Sequence, residues 1–292
     1  MDTEHRGILQ LFMSIPILFG NGIIIFVLMK YIYIRTHCDI LILNLTSADL
    51  FVGLVLLLQS ISCLNIEFNI LSDVCIFRFS SMVLVSFASL FAVLLTALER
   101  YVCIYLYNSN PGITVRKTVV AVCVSWLYCV LLTLCPVAAG TYSVIGNGTG
   151  CLPSRGYMTF IPVQYFLILL TMCTMYIKMC RMATSKKRQI MSESNLVLNS
   201  RMMKFQHELR VTKFMALLLV IFMFCWTPFA ITLIIQSATE DVNKIAVQIA
   251  DITAFLGVLN SMVNPVVYPL QNRRFRKAFQ QMFEDIKRTF KR

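Results

Sequence analysis

The chain has 292 residues, of which 58% are apolar and 14% charged, and its formal net charge is +12. A water-soluble domain of this size needs more polar residues to cover its surface, so the composition excludes an ordinary soluble globular protein. The positive charge does not indicate a nucleic acid partner, and we expect none, because the basic residues are concentrated in a few segments between apolar stretches.

Seven apolar stretches are long enough to cross a bilayer, whose hydrocarbon core of about 30 Å needs roughly 20 residues of helix. They cover residues 7–29, 40–64, 75–98, 119–139, 158–177, 214–236 and 245–270. The predicted fold class is therefore all-α, a seven-transmembrane helix bundle forming one domain over residues 1–292. Residues 272–286 carry apolar side chains at helical spacing between basic ones, which predicts a short amphipathic helix on the inner membrane surface.

The distribution of basic residues predicts the orientation of the chain. If the N-terminus is extracellular, most of the 26 Lys and Arg residues fall in the inner segments, as the positive-inside rule requires. We therefore expect a multi-pass protein of the plasma membrane with its N-terminus outside. In this orientation the acceptor sequence at Asn147 lies in an outer loop, which predicts glycosylation there.

Two cysteines differ from the others, which lie mostly within the apolar stretches. Cys75 stands at the outer end of the third stretch and Cys151 in the second outer loop, so both would meet an oxidising compartment. We expect a disulfide between them, with Cys63 as the nearby competitor.

A short sequence signature stands in each stretch, and the seven occur in a fixed order. They are Gly20-Asn21, Ala48-Asp49-Leu50, Glu99-Arg100-Tyr101, Trp126, Tyr176, Cys225-Trp226-Thr227-Pro228 and Asn264-Pro265-Val266-Val267-Tyr268. Together they resemble class A (rhodopsin-like) G-protein-coupled receptors. The resemblance implies a receptor that binds an extracellular ligand and activates a heterotrimeric G protein at its inner side.

The resemblance also implies a set of activation-switch residues. These are Glu99, Arg100, Tyr101, Tyr176, Glu208, Phe222, Trp226, Pro228, Asn264, Pro265 and Tyr268. The Arg100 guanidinium needs a partner, for which Glu99 and Glu208 are the candidates, and a pair with Glu208 would hold an inactive state. Pro228 removes a backbone hydrogen bond, which allows the inner half of its helix to swing outward. Alternatively, Glu208 simply solvates an exposed start of a helix.

Asp49 is an isolated carboxylate in an apolar stretch. The resemblance implies that it holds a hydrated sodium ion with Ser89, Asn260 and Asn264, and that Asn21 and Ser261 lie around it. The alternative is a protonated Asp49 without an ion. We expect no other cofactor.

The outer half of the third stretch is informative about the ligand. Arg78, Met82, Ser86 and Ser89 share one face at helical spacing. Amine receptors of this class carry an aspartate where this chain has Met82, and opsins carry a lysine that the seventh stretch lacks, so an amine ligand or retinal is not expected. Arg78 suits an anionic or amide head group. Alternatively, Asp251 or a loop carbonyl satisfies Arg78.

We expect an apolar ligand tail to be lined by a set of residues from the third and sixth stretches. These are Met82, Val83, Ser86, Trp226, Phe229 and Leu233. The strings 75–78 and 226–236 resemble fatty amide and lysolipid receptors such as the glucose-dependent insulinotropic receptor, within the wider melanocortin, adenosine, cannabinoid and lysophospholipid cluster. An amphiphilic, lipid-like small molecule is therefore the predicted ligand. The alternatives are an odorant, a nucleoside or a peptide.

Other classes of membrane protein lack support in the sequence. An enzyme would need paired acids, a histidine cluster or an activated nucleophile within the bundle, but His5, His37 and His207 lie at the ends of the stretches or in loops. A transporter would show repeated halves or broken helices in both of them. We therefore expect no enzymatic activity.

Overall fold

The structure is a computed structural model that describes residues 3–65, 72–105, 113–145, 150–192, 198–239, 244–271 and 273–289. Its helices are α1 (Thr3–Val27), α2 (His37–Leu64), α3 (Ser72–Tyr105), α4 (Val115–Ala138), α5 (Arg155–Ser192), α6 (Leu198–Ala238), α7 (Lys244–Gln271) and α8 (Arg273–Thr289). A π-helical turn, Leu28–Ile32, follows α1. Between α4 and α5 lie the strands β1 (Tyr142–Ile145) and β2 (Gly150–Pro153).

Helices α1 to α7 each contain a segment that is long and apolar enough to cross a membrane. The prediction of an all-α seven-helix bundle is confirmed. Large apolar side chains cover the outside of the bundle, where Phe12 and Phe19 are each 71% exposed and Phe224 is 73% exposed. Such a surface requires lipid rather than water around it.

Several helices continue beyond the apolar stretches that predict them. Helix α5 extends to Ser192 and α6 begins at Leu198, so most of the predicted inner connection between them is helical. Hydropathy marks only the part of a helix that lies in hydrocarbon. The polar extensions contain Lys, Arg, Gln, Glu and Met, which are good helix formers in water.

A capping box fixes the start of α2. The Thr36 hydroxyl accepts a hydrogen bond from the Asp39 backbone N–H at 3.2 Å, and the Asp39 carboxylate accepts one from the Thr36 N–H at 3.0 Å. Reciprocal bonds of this kind satisfy backbone donors that the helix itself leaves open. Asp39 also accepts a hydrogen bond from Arg274 Nη1 at 3.0 Å, which connects α2 to α8.

Buried polar side chains connect the helices across the bundle. Trp126 Nε1 of α4 donates to Asn44 Oδ1 of α2 at 2.8 Å, and the Tyr157 hydroxyl of α5 donates to the Leu132 carbonyl of α4 at 3.0 Å. In hydrocarbon a polar group must find its partner within the protein. Residues Asn44-Leu45-Thr46 also match a glycosylation acceptor sequence, but Asn44 is 6% exposed and is therefore not accessible to glycosylation.

The strands β1 and β2 form an antiparallel hairpin, in which Tyr142 pairs with Pro153 and Ile145 with Gly150. Sequence patterns did not predict this hairpin. The Tyr142 hydroxyl is 3.1 Å from Ser80 Oγ, and this contact holds the hairpin against α3. Burial raises the pKa of the Tyr142 phenol. We call this side of the bundle the hairpin end, and the opposite side the α8 end.

Helix α8 packs against the bundle through one face. Phe275, Ala278 and Met282 are buried, whereas Phe283 and Ile286 remain exposed. The exposed apolar side chains of such a helix suit the interface of a lipid leaflet. The predicted amphipathic helix at residues 272–286 is observed as Arg273–Thr289.

Candidate functional site

A cavity lies between α3, α5 and α6, in the halves of these helices that are nearer the hairpin. Its empty volume is about 420 Å³, counting space open to solvent. It is lined by Val83, Ser86, Phe87, Leu90, Ile161, Pro162, Tyr165, Phe222, Trp226, Phe229, Ala230 and Leu233. None of these residues carries a charge, so the cavity suits an apolar ligand group.

Three lining residues contribute polar atoms. The Tyr165 hydroxyl is 2.9 Å from Thr227 Oγ1, and Ser86 Oγ donates to the Met82 carbonyl at 2.6 Å. Trp226 Nε1 is buried without a hydrogen-bond partner in the part of the chain that the structure describes. Two of the three polar groups are thus satisfied within the protein.

The structure brings most of the predicted ligand-binding residues to this cavity, namely Val83, Ser86, Trp226, Phe229 and Leu233. Met82 and Arg78 are not part of its lining. Met82 packs instead against both apolar clusters of the bundle. The physical reason is the rotation of α3, since the helix presents positions 83, 86, 87 and 90 to the cavity rather than 78, 82, 86 and 89.

Arg78 lies nearer the hairpin end than the cavity, five residues before Val83 or about 7.5 Å along the helix. Its Nη1 donates to Cys63 Sγ at 3.2 Å. A guanidinium has five N–H donors, and a thiol is a weak acceptor. Asp251, one of the expected partners, instead accepts a bond from Arg6 Nη2 at 2.5 Å. Among the described side chains no carboxylate therefore forms an ion pair with Arg78.

A polar cluster surrounds Asp49 at the centre of the bundle. The Asp49 carboxylate accepts hydrogen bonds from Ser261 Oγ at 2.8 Å, Ser89 Oγ at 3.2 Å and Asn264 Nδ2 at 2.5 Å. Asn21 Nδ2 donates to the Ser261 carbonyl at 3.0 Å, and Asn21 Oδ1 is buried without a partner among the described residues. Asn260 is also buried, at 4% exposure. Carboxylate, hydroxyl and amide oxygens are the donors that a hard cation prefers, so these residues fit a sodium ion.

Near the α8 end, the buried Arg100 guanidinium forms an ion pair with the carboxylate of its neighbour Glu99. His37 Nε2 lies 2.9 Å from Glu99 Oε1, and Arg100 Nη2 donates to Cys38 Sγ at 3.0 Å. Both charged side chains are therefore held by residues at the start of α2. Sequence reasoning predicted the Glu99–Arg100 contact but not these neighbours.

Two predicted switch residues of α6, Phe222 and Trp226, line the cavity together with Tyr165 of α5. The Phe222 ring lies 6.2 Å from Trp226 and 6.4 Å from Tyr165, measured between centroids. Tyr176 is also buried, and Pro228 lies inside α6. A movement of the Trp226 indole therefore changes its contact with Phe222 in α6.

The switch residues of α7 pack against α1 and α8. A β-carbon on Gly20 would lie 2.9 Å from Pro265 Cγ, so the two helices approach closely there. The Tyr268 ring stacks on Phe275 of α8 at 5.4 Å between centroids.

The predicted switch residue Tyr101 lies in α3, where its ring stacks on that of Tyr105 at 5.9 Å between centroids.

Some predicted site residues lie outside the described part of the structure. They are the backbone and side chain of Asn147 and the side chains of Cys75, Cys151 and Glu208. The disulfide, the glycosylation site and the Arg100–Glu208 pair therefore stay predictions.

Sequence reasoning missed the contributions of α5 to the cavity, from Ile161, Pro162 and Tyr165. In the sequence, Tyr165 stands within an apolar stretch that is typical of a helix facing lipid. The Tyr165 hydroxyl could have indicated that this face of α5 is turned toward the bundle, because a buried phenol needs a hydrogen-bond partner.

Comparisons with known proteins agree with this arrangement. The family model described as "7 transmembrane receptor (rhodopsin family)" matches residues 20–268. The chain is 24% identical to adenosine receptor A2b of Gallus gallus over 96% of the chain and 88% of that receptor. It is 25% identical to sphingosine 1-phosphate receptor 3 of Takifugu rubripes over 69% of the chain and 51% of that receptor.

Two further similarities cover almost the whole chain. It is 24% identical to the alpha-1A adrenergic receptor of Oryzias latipes over 97% of the chain and 68% of that receptor. Its fold is similar to that of squid rhodopsin, with a TM-score of 0.79 at 18% identity over 97% of this chain and 86% of the other. The matched family model spans far more than half of the chain. The protein therefore belongs to the rhodopsin family of seven-transmembrane, G-protein-coupled receptors, which are multi-pass proteins of the plasma membrane.

Proposed function

We propose that this receptor binds a small amphiphilic ligand from the extracellular side, at the hairpin end, and activates a heterotrimeric G protein at the α8 end. Receptors of this family bind extracellular ligands and couple to G proteins. The observation that carries the ligand class is an uncharged, apolar cavity beneath Arg78, whose described hydrogen bond is to a thiol. An apolar tail fits the cavity, and an anionic head group fits the guanidinium.

The proposed orientation rests on charge. Helix α8 carries basic residues at Arg273, Arg274, Arg276 and Lys277, and its exposed apolar residues suit a lipid interface. Basic amphipathic helices favour the anionic cytoplasmic leaflet. The N-terminus, at the opposite end of α1, is then extracellular.

The named relatives do not by themselves select a ligand, because their names refer to a nucleoside, a lysolipid phosphate and an amine system. The side chains of this receptor are more informative. Met82 stands where amine receptors of this class carry an aspartate, which leaves no charge partner for an ammonium there. A phosphate or carboxylate on an apolar chain uses both Arg78 and the cavity.

Signal transmission in this proposal begins at Trp226, which lines the cavity and packs against Phe222 within α6. A ligand that shifts the indole changes the packing of the α6 segment around Pro228. An outward movement of the inner half of α6 opens the α8 end to a G protein. The Glu99–Arg100 ion pair must be weakened for Arg100 to engage a new partner.

The fit of Asp49 and its neighbours to a sodium ion adds a modulatory site to the proposal. Asp49, Ser89 and Ser261 would supply oxygen ligands, with Asn260 and Asn264 beside them. A bound ion would stabilise the present packing of α2, α3 and α7 around one charge.

The experiment is a ligand test with matched arginine variants. Purified receptor is assayed for nucleotide exchange on Gα proteins with a long-chain lysophospholipid and with a fatty acid amide, and cyclic AMP is measured in cells. We expect activation, and we expect Arg78→Ala to raise the half-maximal concentration by about 10- to 100-fold, since a hydrogen bond to a charged group contributes about 1.5–3 kcal/mol.

Arg6→Ala is the matched control, because Arg6 lies at the same end but is already paired with Asp251. Both variants are compared at equal surface expression. A normal response of Arg78→Ala would refute the head-group role of Arg78.

A second candidate ligand is a small uncharged odorant. It is favoured by the absence of charge among the lining residues, since such a ligand needs the cavity alone. In this case Arg78→Ala leaves the response unchanged, whereas Phe229→Ala and Leu233→Ala reduce it.

A further inference from the structure

Four metal-binding side chains meet where α2 begins and α3 nears its end. Glu99 Oε1 lies 2.9 Å from His37 Nε2, 3.4 Å from Cys38 Sγ and 3.2 Å from Cys103 Sγ. The donor atoms of His37, Cys38 and Glu99 all lie within 4.8 Å of one another. Both cysteines are thiols rather than disulfide-bonded residues.

These separations are close to those of a tetrahedral metal site. Zinc binds nitrogen and oxygen at about 2.0–2.1 Å and sulfur at about 2.3 Å, which separates neighbouring ligand atoms by roughly 3.4–3.8 Å. The three distances from Glu99 Oε1 lie at or slightly below this range, so the side chains of His37, Cys38 and Glu99 have to separate slightly around an ion. Cys103 lies outside the group of three whose donor atoms are mutually within 4.8 Å, and its side chain has to rotate toward the others to become the fourth ligand. Glu99 is buried, whereas the His37 and Cys38 side chains are half-buried, which leaves a path from solvent.

We propose that His37, Cys38, Glu99 and Cys103 form a binding site for Zn²⁺. Two sulfurs, one imidazole nitrogen and one carboxylate oxygen are a donor set that favours zinc over the harder calcium and magnesium ions. The site lies on a different part of the molecule from the ligand cavity, and it depends on the proposed function only for its cytosolic orientation. On that side cysteines stay reduced and available to a metal.

Arg100 is compatible with the bound metal. In the present structure its Nε donates to Glu99 Oε2, and its Nη2 donates to Glu99 Oε1 and Cys38 Sγ. Zinc takes Oε1 and the Cys38 sulfur, and the bond from Nε to Oε2 remains. Carboxylate ligands of metals are commonly held by such a second partner.

The charges balance around this arrangement. Binding releases the two thiol protons, so that two thiolates and one carboxylate surround a dication and leave one negative charge beside Arg100. Nη2 of Arg100 loses two acceptors in the process. Zinc would therefore weaken the contact that holds Arg100 against Glu99.

The test uses metal alone on the purified full chain under reducing conditions. Co²⁺ is titrated as a spectroscopic substitute, because thiolate ligands give it a charge-transfer absorption band, and Zn²⁺ is then added to displace it. We expect the band in the wild type and a Zn²⁺ dissociation constant of about 1 μM or tighter. Loss of a supporting residue costs about 10- to 100-fold in metal affinity, so Cys38→Ser and Cys103→Ser should each cost at least 100-fold.

Cys180→Ser is the matched control, since Cys180 is an exposed thiol of α5 outside the cluster, and it should bind as the wild type does. His37→Gln provides a ligand variant without a cysteine change, and circular dichroism verifies that each variant is folded. The proposal is overturned if the wild type shows no thiolate band. It is also overturned if Cys38→Ser and Cys103→Ser bind metal as tightly as Cys180→Ser. None of these readouts involves a G protein, so the site is tested independently of the receptor's signalling.

Discussion

A β-carbon placed on Gly257 of α7 would lie 2.7 Å from Cε3 of the Trp226 indole in α6. No side chain larger than hydrogen fits there unless the indole moves. Trp226, which lines the cavity, is therefore positioned by the backbone of α7 as well as by its own helix.

The first prediction concerns this contact. Gly257→Ala should lower the melting temperature of the detergent-solubilised receptor, because inserting a methyl group into packed surroundings typically costs about 1–3 kcal/mol. Thermal unfolding followed by a thiol-reactive dye measures the change. Gly22→Ala is the control, since a β-carbon on Gly22 meets nothing within 4 Å. If both variants unfold at the wild-type temperature, the indole has room to move.

A second prediction concerns the hydrogen bond between Asn44 and Trp126. Interhelical hydrogen bonds in membrane proteins contribute on average about 0.6 kcal/mol and at most about 1.7 kcal/mol. We expect Asn44→Ala and Trp126→Phe to destabilise the receptor, and the double variant to lose less than the sum of the two. Unfolding in mixed detergents measures the free energies for this double-mutant cycle. Strict additivity would show that the bond contributes no stability.

A third prediction concerns the polar cluster around Asp49. Raising NaCl at constant ionic strength, with N-methylglucamine chloride as the balancing salt, should raise the melting temperature of the wild type, because an ion that binds only the folded state stabilises it. Asp49→Asn should abolish this sodium-dependent increase. Asp39→Asn is the control: it alters another buried acid of α2, and this variant should keep the sodium-dependent increase in melting temperature. A wild type that does not respond to sodium would favour an ion-free Asp49.

A fourth prediction concerns Glu208, the proposed inactive-state partner of Arg100. Glu208→Ala should raise ligand-independent G-protein activation by up to about 5-fold, since a partly exposed ion pair contributes about 0–1 kcal/mol. Basal nucleotide exchange on reconstituted receptor measures it. Glu284 is an exposed acid on α8, and Glu284→Ala should leave basal exchange unchanged. An equal response of the two variants would argue against the pair.

The sequence predicted the features that depend on local composition. Apolar runs of about 20 residues identify a bilayer-spanning helix without reference to its neighbours, and the order of short signatures identifies the family. The neighbours of Asp49 were implied by the resemblance to the family, and Ser89, Ser261 and Asn264 do donate hydrogen bonds to its carboxylate.

Features that depend on how helices rotate and meet could not be predicted. The offset of the cavity face of α3, from Met82 to Val83, is decided by packing against α5 and α6. The hairpin that includes Tyr142 depends on pairing across a loop and on the contact with Ser80. His37 lies far from Glu99 and Cys103 in the chain, and it contacts Glu99 only because α2 starts beside the end of α3.

The stacking of Tyr268 on Phe275 has a mechanical consequence for the end of the chain. Both rings are buried, and they join the last turns of α7 to the first turn of α8. If α7 rotates about its axis, α8 has to turn with it, and the exposed Phe283 and Ile286 then reach a different depth among the lipid head groups. The thickness and head-group charge of the surrounding membrane would therefore act, through these two rings, on the energy of that rotation.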